Sequence, residues 1–184
     1  MNLNKPKRDC FLNTYIPYII AIILFIGFKL AFTKTNNDWV LFLLRPTNFL
    51  VECFTGSYAV YQSDIGYFYS QLNIVIDKSC SGFNYWMLCF LMLVFSFVRK
   101  ENRLLIGITL VLFALVCSFV CTIFVNTFRI YVSMVIQSQH FHFLNAYPAI
   151  VHEVIGVTIN LSFLVLIYYL SEKLINTYTH EKLA

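Results

Sequence analysis

Three side chains in this sequence, a cysteine, an arginine and a histidine, are of types that together carry out acyl transfer. Cys80 lies in DKSCSGFNYW, residues 77–86, where a polar, turn-rich stretch gives way to an apolar run. A thiolate is a strong nucleophile, and a histidine can take its proton and return it to a leaving amine. An arginine can stabilise an oxyanion or bind a carbonyl. The fold must therefore bring Arg129 and His152 to Cys80 before these residues can act together.

The composition is that of a membrane protein. The chain has 184 residues, of which 59% are hydrophobic and 12% are charged, whereas soluble chains carry roughly 25% charged residues. The net charge of +4 does not indicate a nucleic-acid partner, because the basic residues form short clusters beside apolar runs. Such clusters orient helices in a lipid bilayer.

Four apolar stretches are about as long as the ~20-residue helix that crosses the hydrocarbon core. They cover residues 14–33, 80–98, 104–125 and 149–170. The first follows a basic amino terminus but has no small-residue cleavage site after it, so we interpret it as a retained anchor and not as a signal peptide. No linker or internal repeat divides the chain. We predict one domain, 1–184, in an all-α integral membrane protein with about four transmembrane helices.

The basic residues predict the direction of the spans. The turn RKENR, residues 99–103, favours a cytoplasmic hairpin between the second and third spans. With both termini cytoplasmic, eight of the 13 Lys and Arg residues lie on the cytoplasmic side. These eight are Lys5, Lys7, Arg8, Arg99, Lys100, Arg103, Lys173 and Lys182.

The outer segment, residues 34–79, is predicted to lie on the extracytoplasmic side. Its first half, 39–54, is interrupted by Arg45, Pro46 and Glu52 and is short for a span, which favours an interfacial or re-entrant helix. The following residues combine glycine turns with β-favouring Tyr, Val and Ile, and predict a small β-hairpin.

This topology brings the three reactive residues to one depth. Cys80 lies at the outer end of the second span, Arg129 just beyond the outer end of the third, and His152 within one turn of the outer start of the fourth. The free N–H groups and the dipole of a helix start favour a thiolate, so Cys80 is expected to be reactive. We therefore predict an extracytoplasmic catalytic site made of Cys80, Arg129 and His152.

Three further residues are predicted to support this site. Gly82 would let a substrate backbone approach closely. Asn84 is four residues after Cys80, and Asn126 is three residues before Arg129, so each shares a helix face with the residue that it would orient. Interhelical hydrogen bonding is the expected role of Asn160.

The remaining cysteines and histidines predict neither a metal site nor a disulfide framework. Cys89, Cys117 and Cys121 lie inside apolar runs, where cysteine usually acts as a small hydrophobic residue. His140 and His142 alternate in a polar loop without a third ligand at suitable spacing. We expect no metal and no other cofactor.

Four short motifs resemble those of the exosortase/archaeosortase family, and the compact K-type exosortases most of all. They are TG at 55–56, CSG at 80–82, NTFR at 126–129 and HEVIG at 152–156, in the family's order. The resemblance implies a multi-span enzyme of the bacterial inner membrane. Cys80 would be its nucleophile, Arg129 the third active-site residue and His152 its acid/base.

The resemblance also implies a substrate. Such enzymes are transpeptidase-like and act on a membrane-anchored protein whose carboxy-terminal sorting signal has a short motif, one transmembrane helix and a basic cluster. The protein is cut near the membrane and transferred to an acceptor. The alternative is a non-catalytic membrane scaffold or transport subunit, in which Cys80, Arg129 and His152 hold helices together. Neither hypothesis predicts the oligomeric state.

Overall fold

The computed structural model describes the backbone of residues 5–34, 36–70, 74–99, 103–138 and 148–181. Within these ranges, side chains are described except at 5–13, 37, 137–138, 148–152 and 178–181. The five helices are α1 (Lys5–Lys34), α2 (Leu41–Thr55), α3 (Phe83–Val98), α4 (Leu104–Ser138) and α5 (Pro148–Glu181). The three strands are β1 (Val60–Gln62), β2 (Gly66–Tyr69) and β3 (Ile74–Ile76), and short 3-10 turns cover Asn37–Val40 and Lys78–Cys80.

Four helices are long and apolar enough to cross a membrane, as the apolar runs predict. Their qualifying segments are Thr14–Lys34, Lys78–Val98, Leu104–Ile136 and Glu153–Thr177. In the described ranges, α2 is the remaining helix, and its 15 residues span only about 22 Å. It is too short to cross the ~30 Å hydrocarbon core upright.

The third span differs from its prediction. It was expected to end at residue 125, but α4 continues to Ser138 because no glycine or proline follows Gly107 within it. Its 35 residues extend about 52 Å, well beyond the hydrocarbon thickness. Arg129 therefore lies inside a helix and not just past the end of one.

Helix α3 is the centre of the bundle, with α1, α4 and α5 packed around it. Its buried core residues include Cys89, Phe90 and Val94, each fully enclosed. The neighbours run antiparallel to α3 where contacts fix their direction. The ring of Tyr18 on α1 stacks on Phe95 near the end of α3, with ring centroids 5.3 Å apart.

Contacts define two ends of the bundle. At the hairpin end, where α3 leads towards α4, Pro17 of α1 packs closely on Gly107 of α4 and Arg99 pairs with Glu172 of α5. At the opposite end, the site end, Lys29 of α1 reaches Asn84 at the start of α3. The candidate site residues belong to this second end.

The outer segment packs on the site end as a helix and a small sheet. The predicted helix is α2, whose buried face includes Leu44 and Val51 and packs against α4. The predicted β-hairpin is confirmed and extended by a third strand, because the antiparallel order is β1-β2-β3. Gly56 adopts a left-handed φ of 65° to end α2 and release the chain into β1.

Candidate active site

Cys80 belongs to a tight turn that precedes α3, and not to the first turn of the helix as predicted. The side chain of Asp77 caps the 3-10 turn by accepting from the N–H groups of Ser79 at 2.9 Å and Cys80 at 3.3 Å. Gly82 follows with a left-handed φ of 73°, so α3 begins only at Phe83. The expected activation of Cys80 by N–H groups of its own helical turn is therefore wrong.

Asn126 fixes the Cys80 turn against α4. Its side-chain N–H donates to the backbone carbonyl oxygen of Cys80 at 2.6 Å. Asn126 is 2% exposed, and its side-chain oxygen has no hydrogen-bond partner among the described residues. The supporting role predicted for Asn126 thus takes a specific form: it holds the Cys80 backbone.

Gly82 allows this approach between the turn and α4. A Cβ atom at Gly82 would lie 3.0 Å from Cγ of Asn126 and 3.2 Å from Cγ2 of Thr122, and its positive φ disfavours a side chain. The close neighbour of Gly82 is therefore α4, and the predicted approach of a substrate backbone to Gly82 stays a prediction. Gly82 also lines the cavity described below.

Arg129 lies one turn beyond Asn126 on α4 and contacts α5. A Cβ atom at Gly156 would be 2.7 Å from Nε and 3.0 Å from Cζ of Arg129, so the guanidinium rests directly on the α5 backbone. Nε of Arg129 is buried and has no hydrogen-bond partner among the described residues. Buried donors are normally paired, so this N–H group is an exception within the described residues. The Arg129 residue also lines the cavity described below.

His152 lies on α5, but its side chain is outside the described residues. Its backbone position is four residues, or about one turn, before Gly156. Positions four apart lie on the same helix face. Position 152 is therefore on the α5 face that contacts Arg129, about 6 Å along the helix from that contact.

A cavity of about 420 Å³ lies between α1, the Cys80 turn, α4 and α5 at the site end. Arg129 lines it together with Ser79 and Ser81 on either side of Cys80. Residues from α5 complete the wall, and these are Glu153, Gly156, Val157 and Asn160. The cavity is of a size typical for ligand sites and carries both charged and polar groups.

The thiol of Cys80 lies beside this cavity and not in its lining. The side chain packs against the apolar cluster that includes Tyr69 and Ile76, and its sulfur is 3.8 Å from Oγ of Ser79. Asp77 and Arg129, of opposite charge, both lie within electrostatic range of the thiol. The backbone of the turn thus belongs to the site, while the thiol points into the outer segment.

Asn84 does not orient Cys80 as predicted. It is exposed at the rim of the cavity, and its side-chain oxygen accepts a hydrogen bond from Nζ of Lys29 at 2.5 Å. This bond links α1 to α3 at the site end. Asn160 lines the cavity from α5, as its predicted orientation towards the bundle requires.

The remaining candidates stay apart from the site. Cys89 and, on α4, Cys117 and Cys121 pack in the central core. His140 and His142 lie outside the described residues. Within the described part of the chain, no group of His, Cys, Asp or Glu residues is arranged to hold a metal ion.

Sequence reasoning missed two residues of the site. Gly156 was noticed only as part of a motif, although a glycine inside a long apolar helix often marks a close helix contact. Lys29 was interpreted only as a residue of the first span, although a lysine within an apolar span is a recognisable signal of a polar partner at the same depth.

Comparison of the chain with protein-family models, with characterised proteins and with solved structures gives no match. The likeness to the exosortase/archaeosortase family therefore depends on the four short motifs. Three of them, CSG, NTFR and HEVIG, contribute residues to one cavity. The fourth, TG, supplies the glycine that ends α2.

Proposed function

We propose that this protein is a membrane-embedded cysteine peptidase/transpeptidase of the exosortase type. It cleaves the carboxy-terminal sorting signal of an exported, membrane-anchored protein and transfers that protein to an acceptor. The site end faces the extracytoplasmic side of a bacterial inner membrane, with both termini in the cytoplasm. Cys80 is the nucleophile, His152 the acid/base and Arg129 the group that binds the carbonyl oxygen.

The proposed reaction has two steps. Cys80 gives its thiol proton to His152 and attacks the scissile carbonyl, so that a C–S bond forms and the C–N bond breaks. His152 passes the proton to the departing amine, and the substrate remains as a thioester. The nucleophile of the acceptor then attacks the thioester, its proton passes through His152 to the departing sulfur, and the C–S bond breaks. Arg129 stabilises the negative oxygen in both steps through its N–H groups.

One observation supports the proposal above all: α4, which carries Arg129, also contacts the segments that carry Cys80 and position 152. Asn126 binds the Cys80 carbonyl at 2.6 Å, and Arg129, one turn further on, rests on the α5 face that carries position 152. These segments are far apart in sequence and have no need of one another to span a membrane. Their convergence on a polar cavity is the arrangement that an acyl-transfer site requires.

The side chain of Cys80 must rotate for this reaction to occur. Cys80 has a single side-chain torsion, whose staggered wells are about 120° apart. In the proposed reaction, one such rotation moves sulfur from the apolar cluster towards the cavity, past Ser79. Substrate entering the cavity would meet Arg129, which lines it, and would favour the rotated thiol.

The scaffold alternative also has an observation in its favour. The Asn126 bond is to the backbone of Cys80, so it would persist with any side chain at that position. If the site were only a helix junction, the thiol would be replaceable without loss of function. Substitutions at Cys80 therefore separate the two hypotheses.

We expect Cys80→Ala, His152→Ala and the double variant to be equally inactive, each reduced by about 10³-fold or more, because residues that act in one step are strongly non-additive. Cys80→Ser should also fail, since a hydroxyl is far less acidic than a thiol. The measurement is substrate cleavage in cells, seen as a size shift, at matched membrane levels of each variant.

Cys89→Ser is the matched control. Cys89 is fully buried in the central core, away from the cavity lining, and should process substrate normally at an equal membrane level. Full processing by Cys80→Ala would end the cysteine-enzyme proposal and leave the scaffold standing.

A further inference from the structure

Two cysteine thiols from neighbouring helices touch in the central core of the bundle. Cys89 of α3 and Cys121 of α4 are hydrogen-bonded to each other through their sulfur atoms. Cys89 is fully buried, and Cys121 packs against the same central cluster. Both thiols are free in the structure. Neither residue lines the cavity, so this pair of thiols is separate from the candidate active site.

An unpaired hydroxyl group lies near the two thiols. Tyr85, one turn before Cys89 on α3, is only 4% exposed, and its hydroxyl has no hydrogen-bond partner among the described residues. It lies within electrostatic range of both sulfur atoms. Buried hydroxyls are normally paired, and a hydroxyl beside a thiol can donate to the thiolate when one forms. The cluster therefore combines two thiols with a donor for their charged form.

The two thiols differ in their access to the bilayer. Cys89 is enclosed by protein, whereas Cys121 is partly exposed. Its neighbours on the surface of α4, Val120 and Phe124, are exposed and apolar. Because α4 is long and apolar enough to span a membrane, this surface is suited to contact lipid. A reagent dissolved in the bilayer would therefore meet Cys121 before Cys89.

We infer that Cys89 and Cys121 are an oxidisable pair, which a lipid-soluble disulfide converts into a disulfide bond between α3 and α4. Cys121 attacks the reagent, so that the S–S bond of the reagent breaks, a mixed disulfide forms, and one reagent thiol leaves with the proton of Cys121. Cys89 then attacks the sulfur of Cys121, and the second reagent thiol leaves with the proton of Cys89. The two cysteines are oxidised, and the reagent is reduced to two thiols.

The contact between the sulfur atoms favours closure over a lasting mixed disulfide. A disulfide bond is ~2.05 Å long, and each cysteine can approach its partner by rotation about one side-chain torsion. The two helices that carry them already pack closely together. Cys53 differs in this respect, because it is exposed on α2 and apart from the central cluster. We therefore expect Cys53 to stop at the mixed disulfide.

Such a bond would join the two helices that position the Cys80 turn. Cys89 follows Cys80 by nine residues, and Cys121 precedes Asn126 by five. The side chain of Asn126 is the group that binds the Cys80 backbone. The disulfide would thus hold α3 against α4 close to the candidate site without adding an atom to the cavity.

Peptide mass spectrometry tests the inference. The full-length protein, purified and returned to lipid vesicles, is treated with dithiodipyridine, which is an apolar disulfide. The remaining thiols are alkylated, and the protein is digested without reduction. We expect a peptide pair linked through Cys89 and Cys121 that carries no reagent, and a Cys53 peptide that carries one thiopyridyl group.

Two serine variants identify the partners. Cys89→Ser removes the thiol that closes the bond, so Cys121 should keep its thiopyridyl group. Cys117→Ser is the matched control, because Cys117 is a partly buried cysteine one turn before Cys121, and the link should form in it as in the unchanged protein. A link between Cys89 and Cys117, a reagent group that stays on Cys121 of the unchanged protein, or a Cys121 that does not react would each overturn the inference.

Tyr85→Phe tests the part of the hydroxyl. Without a donor for the thiolate, formation of the link should slow about fivefold or more, because hydrogen bonds to charged groups are stronger than neutral ones. A rate equal to that of the unchanged protein would remove Tyr85 from the pair. The inference stands apart from the proposed function: substrate cleavage by a protein that forms no link overturns the oxidisable pair and keeps the peptidase.

Discussion

At the scale of single residues, the contact between Gly156 and Arg129 determines where the guanidinium lies. A Cβ atom at position 156 would approach Nε of Arg129 to 2.7 Å, which is closer than any unstrained contact. In Gly156→Ala the guanidinium must therefore shift away from α5. We expect cleavage of the substrate to fall on the order of tenfold or more, because misplacement by ~1 Å can cost far more than that.

Gly27→Ala provides the comparison for this prediction. Gly27 is also inside a membrane-length helix, but a Cβ atom there would meet nothing within 4 Å. This variant should retain full processing, and both proteins should reach the same membrane level. Equal processing by the two variants would show that the position of the Arg129 guanidinium does not matter to the reaction.

At the scale of elements, a buried hydrogen-bond chain joins the sheet to α2. The hydroxyl of Tyr69 donates to the side-chain oxygen of Asn48 at 2.7 Å, and the side-chain N–H of Asn48 donates to Glu52 at 2.9 Å. Burial, followed by the nearby Glu52 charge, raises the pKa of Tyr69 above 10.0, so its hydroxyl remains protonated and able to donate. Glu52 also accepts from the N–H of Ala59, which leads into β1.

Tyr69→Phe should loosen this outer segment. It leaves the oxygen of Asn48, a residue only 5% exposed, without its donor, at a cost of about 1–3 kcal/mol. We expect faster cleavage of residues 56–77 by an added protease in detergent. Tyr58→Phe is the control, since Tyr58 is 80% exposed. If both variants resist the protease equally well, the chain of hydrogen bonds contributes nothing to the outer segment.

The helices and turns also show which elements can be predicted from the sequence. Runs of apolar residues predict the four long helices, because length and hydropathy alone decide what can span a bilayer. They did not predict the end of α4, because the apolar run stops at residue 125 whereas the helix continues through polar residues to Ser138. They did not predict the turn at Cys80, which depends on the Asp77 cap and the left-handed Gly82 together.

The site itself was only partly predictable. Topology predicted Cys80, Arg129 and His152 at one depth, and the side chains of Asn126 and Arg129 do contact the segments that carry Cys80 and position 152. The direction of the Cys80 side chain could not be predicted, because it depends on packing against Tyr69 and Ile76 in the outer segment. Periodicity gives the face of a helix, but a residue in a turn has no such face.

At the scale of the whole molecule, the two ends of the bundle differ in chemistry. The site end holds the cavity and the outer segment, whereas the hairpin end holds the Arg99–Glu172 pair and Arg103. Cationic loops remain in the cytoplasm during insertion. This asymmetry favours the proposed orientation, with the cavity on the extracytoplasmic side and the hairpin in the cytoplasm.

Reporter fusions test this orientation. Because basic clusters lie at the start of α1, between α3 and α4 and towards the end of α5, a fusion after Lys100 and another after Ala184 should both report the cytoplasm. A fusion at Gln139 should report the extracytoplasmic side. The Cys80 turn and position 152 are held at one end of the bundle through α4, so they must share a compartment with the far end of that helix. An extracytoplasmic signal after Lys100, with a cytoplasmic signal at Gln139, would invert the bundle. The cavity would then face the cytoplasm, where an exported substrate cannot reach it. The peptidase proposal would fail although the arrangement of the site residues is unchanged.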